Sequence, residues 1–281
     1  MKKINNQVFL ITGATDGLGK RVAYDLAEQG ATVLLHGRSP EKGEAVIHEI
    51  QHSTRNKSLI YYNADFSSLE AVRQLSGQIL NKHEHLDVLI NNAGIGGGKQ
   101  QAGREKSIDG YELRFAVNYL APFLLTYLLL PLLRKSAPAR IVNVSSVGQQ
   151  PIEFDNVMLE KRYDGLRAYR QSKLAQIMFT FDLAEELAGT GITVNSVHPA
   201  SLMNTKMVFE TDYFSGTMST VEEGAEAVEY LAISPELDGV TSEYFDGKRK
   251  SRANAQAYDK EARRRLRLLS KQLTHLKDSD N

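Results

Sequence analysis

The chain has 281 residues, 34 basic and 34 acidic side chains, no cysteine and no tryptophan, and 42% of it is hydrophobic. That apolar share can build a substantial core, and the length suits one large α/β domain better than two small ones. A formal net charge of +0 removes the electrostatic case for a nucleic-acid partner, and the lack of cysteine excludes disulfides, thiolate metal sites and a cysteine nucleophile.

Met1-Lys2-Lys3 leads into polar Asn5-Asn6-Gln7 and not into an apolar signal run, so a cytoplasmic location is the expectation. Val8 to Ile11 is a short apolar strand that ends at Gly13, and Arg21 to Glu28 follows as a helix with Val22, Leu26 and Ala27 inward. Thr32 to Leu35 and Ser58 to Asn63 are the next strands, separated by a helix over Glu41 to Gln51. Ser68 to Leu80 is helical, with Ser67 or Ser68 as its N-cap, and Leu86 to Ile90 is strand four. Tyr111 to Leu133 predicts a long buried helix that stops near Pro131 and Pro138. Its apolar stretch from Leu120 to Leu133 is shorter than a membrane span, so no integral membrane segment is expected. Arg140 to Val144 is strand five, Tyr169 to Ala188 a second long helix, Ile192 to Val197 strand six, Val221 to Ile233 a helix, and Val240 to Phe245 a last short strand.

The strands are continuous apolar runs, the pattern of a parallel sheet covered on both faces. Repeated βα units predict a single-domain, Rossmann-like, doubly wound α/β fold of about seven strands with helices on both faces. One domain over 1–281 is expected, with 248–281 a basic C-terminal helical extension. Leu266, Leu269, Leu273 and Leu276 fall there at helical spacing, which favours a solvated amphipathic helix packed on the domain over a lipid or nucleic-acid patch.

Thr12-Gly13-Ala14-Thr15-Asp16-Gly17-Leu18-Gly19 joins the first strand to the first helix. Glycines there permit a tight turn and a close approach of backbone N–H groups to a pyrophosphate, which the helix N-terminus also favours. The spacing is neither G-x-G-x-x-G nor a Walker A loop, and a ligand-free turn is the alternative. Arg38 follows the second strand, where an acid would bind a ribose 2′-OH; a cation there can hold a 2′-phosphate, so NADP(H) is favoured and NAD(H) stays open. Asp65-Phe66 follows the third strand, where Asp65 can accept from an adenine amine or, with Ser67, cap a helix.

Tyr169 and Lys173 are an i, i+4 pair, so both side chains face one way along a helix. A free phenol is a poor acid–base at neutral pH, and a nearby ammonium would lower its pKa. Ser145-Ser146 ends the fifth strand at the carboxyl edge, where a hydroxyl can bond the same substrate oxygen. Tyr-x-x-x-Lys alone is a weak signal, and its context is what raises it.

Here the sequence resembles the short-chain dehydrogenase/reductase family over nearly its whole length. The motifs are Thr12-Gly13-x-x-x-Gly17-x-Gly19, Asn91-Asn92-Ala93-Gly94, Val117-Asn118, Val144-Ser145-Ser146 and Tyr169-x-x-x-Lys173, in the family's order. Ala168 to Ala175 and the Glu243-Tyr244-Phe245 ending are similar to the retinol-dehydrogenase-like and protochlorophyllide-reductase-like branch. The resemblance implies that Tyr169 is the acid–base, that Lys173 lowers its pKa and bonds the nicotinamide ribose, and that Ser146 orients the carbonyl. It implies that Asn118 kinks its helix and holds a relay water, that Asn91 is structural, and that Asn92, Ala93 and Gly94 line the cofactor. Gly13, Thr15, Asp16, Gly17, Leu18, Gly19, Arg38, Asp65 and Phe66 complete that cofactor set, with Pro199 and Thr205 at the nicotinamide end. The run His198 to Thr205 departs from the family's Pro-Gly pattern, which leaves the Thr205 contact open, and His198 is expected to pack.

His83 and His85 around Glu84 read as a solvated turn, and the chemistry needs no metal. The implied reaction moves a hydride between nicotinamide and a carbonyl or alcohol carbon of a small-molecule substrate. Phe154, Met158, Met203, Met207, Phe209, Tyr213 and Phe214, in the Gln149–Leu166 insertion and the Ser201–Ser219 loop, favour a bulky or apolar substrate; packing of the loops is the alternative. A non-catalytic NADP sensor or scaffold, and a C=C reductase, are the other readings. The resemblance also admits a homo-oligomer through the two long helices.

Overall fold

The apolar runs become strands where the sequence places them. β1 (Val8–Ile11), β2 (Thr32–Gly37), β3 (Leu59–Asn63), β4 (Val88–Asn91), β5 (Ala139–Val144) and β6 (Ile192–His198) all pair in parallel. β7 (Tyr244–Asp246) adds to β6 in parallel, and β8 (Arg249–Ser251) closes the edge antiparallel to β7. In this computed structural model, which describes residues 2–277, they form one sheet in the order β3-β2-β1-β4-β5-β6-β7-β8. The eighth strand corrects the expectation of about seven. Arg249, Lys250 and Ser251 are all exposed, so no apolar run announces them; Gly247, at φ +58°, turns the chain back from β7.

Side-chain caps set the helix starts. Asp16 accepts from Gly17 N, so α1 (Gly17–Glu28) begins four residues before Arg21, its expected start. Ser39 and Pro40 start α2 (Pro40–Thr54), and Ser68 rather than Ser67 caps α3 (Leu69–Lys82). Asp164 caps α5 (Gly165–Glu186), again ahead of its expected start at Tyr169. The long helix α4 (Leu113–Ser136) runs through Pro131, which faces solvent while Leu129, Leu132 and Leu133 are buried. Its length and composition would suffice to cross a bilayer, but its most apolar window is 83% buried inside the protein. The short α6 (Lys206–Phe209) lies in the loop after β6, and a Thr220–Glu223 capping box opens α7 (Val221–Ile233).

Two cores form, one on each face of the sheet. One joins α1, α2 and α7, and the other joins α3, α4 and α5. The C-terminal helix α8 (Lys260–Leu273) adds to the second: Leu266 is buried, and Leu269, Leu273 and Leu276 pack beside it. Its arginines are spent on carboxylates. Arg263 pairs with Glu185, Arg264 with Glu261, Arg265 with Asp155 and Arg267 with Asp182, so the extension is a docked amphipathic helix. It is not helical throughout, because β8 and a 3₁₀ turn at Ala255–Tyr258 precede it; residues 278–281 of the expected extension lie outside the described residues.

Leu266→Ala is expected to lower unfolding free energy by about 2–5 kcal/mol in urea titrations, the cost of an apolar cavity. An unchanged midpoint would mean that α8 does not dock.

Candidate active site

Because the strand order reverses between β1 and β4, their carboxyl ends part and leave a crevice. A cleft of about 1130 Å³ opens there, and every nucleotide-binding and catalytic candidate named above lines it except Asn118.

The glycine loop is held against the β4 loop. Asn92 Nδ2 donates to Thr12 O and Gly13 O at 2.9 and 3.1 Å, and Thr12 Oγ1 accepts from Asn92 N and Ala93 N, both at 3.0 Å. The Asn92 side chain is therefore occupied by backbone, although the residue still lines the cleft. Gly19 carries its own reason: a Cβ there would collide with Gly13 O and Asn92 Nδ2. Gly13 sits at φ +67° against Ala93, which bars a side chain twice over. At the mouth of this turn the first N–H groups of α1 have no intrahelical partners, a ready site for a pyrophosphate.

At the β2 end, His36 is buried beneath the loop. Its Nε2 lies 3.1 Å from Ala64 O, its Nδ1 accepts from Gly13 N at 3.3 Å, and its ring stacks on Phe66 at 4.2 Å. These partners fit the tautomer with the proton on Nε2, and burial lowers the pKa to about 4. Arg38 and Lys42 line this end with exposed side chains, and neither has an ion pair among the described residues. Asp65 accepts from Ser67 N at 2.9 Å in a local turn. Lys42 and Ile108, which is 75% exposed beside this end, were not anticipated; Lys42 follows the Ser39 cap by three residues, and nothing in the sequence marks Ile108. The glycine cradle, the helix start and the unpaired cations fit a nicotinamide dinucleotide with its adenosine on this side.

The other end holds the expected acid–base group. Ser146 Oγ accepts from Gly148 N at 3.0 Å and stands near enough to the Tyr169 phenol to act on its acidity. Ser145 is spent inside the sheet, donating to Val197 O and accepting from Ser196 Oγ. Burial pushes the Tyr169 phenol above its usual pKa, and the Ser146 hydroxyl opposes the shift. The net shift is upward, opposite to the lowering expected from Lys173, because burial outweighs the other influences. The Lys173 Nζ lies 5.8 Å from the ring centroid and donates instead to Val144 O and Gln176 Oε1, both at 2.9 Å. Burial lowers Lys173 itself to about 7, so much of its charge is lost at neutral pH. Asn118 stands behind the wall. Its amide accepts from Ile95 N at 2.8 Å and donates to Ile95 O and Ser172 Oγ, both at 3.0 Å. The kink expected at Asn118 takes the form of a π turn over Ala116–Leu120.

Arg114, also missed, is buried and clamps the glycine-rich loop after β4. It donates to Gly96 O at 2.9 Å and to the Tyr163 hydroxyl at 2.8 Å, with Glu112 and Glu105 as counter-charges. The loop before α7 is tied to the same strip: Thr211 Oγ1 donates to Gly98 O, and Asp212 accepts from Gln100 N. Met203, Met207 and Phe214 line the cleft, joined by Val147 and Met218. Phe154 and Met158 pack on the core instead, Tyr213 bonds Asp164, and Phe209 is 69% exposed. Thr205 lies against Gly17, near the pyrophosphate turn, and Pro199 is a buried residue of the cleft lining. His198 bonds Ser201 Oγ at 3.0 Å, and burial depresses its pKa. No metal-binding group of side chains occurs among the described residues.

A family model described as short chain dehydrogenase matches residues 7–213. Retinol dehydrogenase 13 of Mus musculus is 36% identical over 94% of this chain and 82% of its own, and retinol dehydrogenase 11 of Homo sapiens is 38% identical over 94% and 84%. A solved short chain dehydrogenase from Escherichia coli complexed with NADPH superposes with TM-score 0.72 at 27% identity, covering 88% of this chain and 98% of that one.

His36 gives the site a pH signature. Its folded pKa of about 4 lies below the ordinary 6.5, so only the unfolded chain takes up a proton between those values. Its stabilising contribution is complete above pH 6.5 and is lost as pH falls towards 4. Against His36→Gln, the wild type is expected to lose about 3 kcal/mol of relative stability between pH 7 and 4 in urea unfolding. Parallel curves would contradict a neutral, buried His36.

Proposed function

The chain belongs to the short-chain dehydrogenase family, and on that footing we propose that it is an NADP(H)-preferring oxidoreductase for a bulky, apolar alcohol or carbonyl, with Tyr169 as acid–base. Its broader activity is that of a nicotinamide-dinucleotide-dependent oxidoreductase acting on CH–OH and C=O groups. The observation that carries the finer reading is the meeting of Ser146 Oγ, the Tyr169 phenol and the Lys173 ammonium in one cleft wall. When bound, the nicotinamide supplies or accepts the hydride.

The chain's own residues handle the oxygen. The Ser146 hydroxyl orients it beside the phenol. A phenol held above its usual pKa is protonated at neutral pH, so Tyr169 can donate its proton to a carbonyl oxygen as the alcohol forms. In the reverse direction the phenolate must form first, to take the alcohol's proton. Lys173 in its charged state stabilises that phenolate. The protonated phenol therefore poises the site for reduction at neutral pH. Arg38 and Lys42 support the NADP(H) preference, since two unpaired cations suit a 2′-phosphate. Met207, Phe214, Val147 and Met218 support an apolar substrate, as do relatives named retinol dehydrogenases.

Tyr169→Phe is expected to lower turnover by about 10²–10⁴-fold, the usual range for a lost proton donor, while NADPH still binds. Wild-type-like turnover would remove Tyr169 from the chemistry. Arg38→Ala is expected to weaken NADPH by about 10–100-fold, as for a lost charged hydrogen bond, and to leave NADH nearly unchanged in fluorescence titrations. Equal losses for the two nucleotides, or none, would take the 2′-phosphate away from Arg38.

A further inference from the structure

Lys173 is 3% exposed and has no carboxylate among the influences on its charge. Its ammonium has two acceptors in the protein, the Val144 carbonyl that ends β5 and the Gln176 amide oxygen one turn further along α5. Gln176 is itself 2% exposed, and its Nε2 has no hydrogen-bond partner. A buried amide with an unspent donor is a poor packing element, because a methionine would fill the space without stranding an N–H group. Turning the amide over would set its NH₂ against the ammonium, donor to donor. The contact to Lys173 is therefore what fixes the orientation of the amide.

We propose that Gln176 is a positioning residue, whose amide oxygen holds the Lys173 ammonium in the cleft wall and favours its charged form. This rests on the assignment of Lys173 and Tyr169 made above. Two of the three ammonium N–H groups are committed to Val144 O and Gln176 Oε1, which leaves the third for the cleft that Lys173 lines. Gly94 of the β4 loop is a close neighbour, since a Cβ there would lie 3.5 Å from Nζ. An acceptor directed at a cation stabilises the charged state over the neutral one, and more strongly where water is scarce.

The other groups around Lys173 push differently. Tyr169 faces it from the same helix as a neutral phenol, while Ser145 and Ser146 just after β5 and Asn118 on α4 are uncharged. His198 on β6 is kept neutral by burial at physiological pH, with the Asp246 carboxylate on β7 opposing that shift. Gln176 is thus the one side-chain acceptor for this ammonium among the described residues.

The test is a titration of the full-length protein labelled with ¹³C at lysine Cε, in which Lys173→Arg identifies the Lys173 signal. The wild-type midpoint is expected near 7. Gln176→Met should lower it by about one pH unit, and the isosteric Gln176→Glu should raise it by about one or more, since a carboxylate favours the ammonium more strongly than an amide. Midpoints that stay put, or that move the same way in both variants, would overturn the proposal. If the methionine variant does not fold, the glutamate variant decides alone: an upward displacement supports the proposal and an unmoved midpoint overturns it. The pH profile of kcat with NADPH and a long-chain aldehyde should follow the same displacements. A profile that ignores a displaced titration would overturn the role given to Lys173 in turnover, while leaving its contact with Gln176 intact.

Discussion

The site is organised around one costly element, a lysine ammonium carried into the interior without a carboxylate to meet it. Burying a cation is expensive unless its donors are satisfied, and here neutral acceptors alone answer it. The Val144 carbonyl is available because β5 ends there, leaving one backbone acceptor at the carboxyl edge of the sheet. The same edge sets Ser146 two residues on. Strand length, cation and hydroxyl are therefore a single arrangement: ending β5 a residue later would move both the acceptor and the serine.

Around that cation a polar seam sits where apolar packing would be expected. Tyr169, Lys173, Gln176 and Thr180 lie three or four residues apart on α5 and so share one face, with Ser172 beside them. Opposite them, Asn91 Nδ2 donates to Asn143 Oδ1 at 2.8 Å and to Thr126 Oγ1 at 3.0 Å, and Asn143 Nδ2 donates to Thr180 Oγ1 at 2.9 Å. These bonds tie α4, β4, β5 and α5 together through side chains with directional demands. An apolar interface of the same size would tolerate small slides of α5, but a hydrogen-bonded one sets its register. Since Tyr169 rides on α5, the core ladder positions the phenol at the surface of the cleft.

Most of the fold could be read because a parallel sheet buries both faces and each strand must be apolar throughout. The motifs then converge by topology: whatever follows β1, β4, β5 and β6 must lie on one edge, so residues scattered from Gly13 to Thr205 meet in one cleft. The parts that escaped have local or mutual causes. β8 is wholly exposed and carries no periodic signal. Helix starts at Gly17 and Gly165 follow from caps, which override the poor helix propensity of glycine. The π turn at Asn118 leaves no trace in a 3.6-residue pattern. Arg114 and Gln176 are polar residues within apolar surroundings, and their value lies in partners up to 49 positions away, as Arg114 and Tyr163 show. Among the bulky residues of the two loops, Phe154 packs inward while Phe214 faces the cleft, a difference set by tertiary contacts that composition does not contain.

The upward shift of the Tyr169 phenol changes what the pair with Lys173 is for. One burial acts on both groups in opposite senses, raising the phenol and lowering the ammonium, because each shift favours the uncharged form. A lysine near 7 is then a graded partner rather than a fixed charge. While it is neutral, the proton stays on Tyr169, the state needed to protonate a carbonyl oxygen. While it is charged, the phenolate becomes cheaper, the state needed to deprotonate an alcohol. The ammonium and the phenol are therefore coupled through the same desolvated wall, and any group that steadies the ammonium alters which direction of the reaction the site is poised to run.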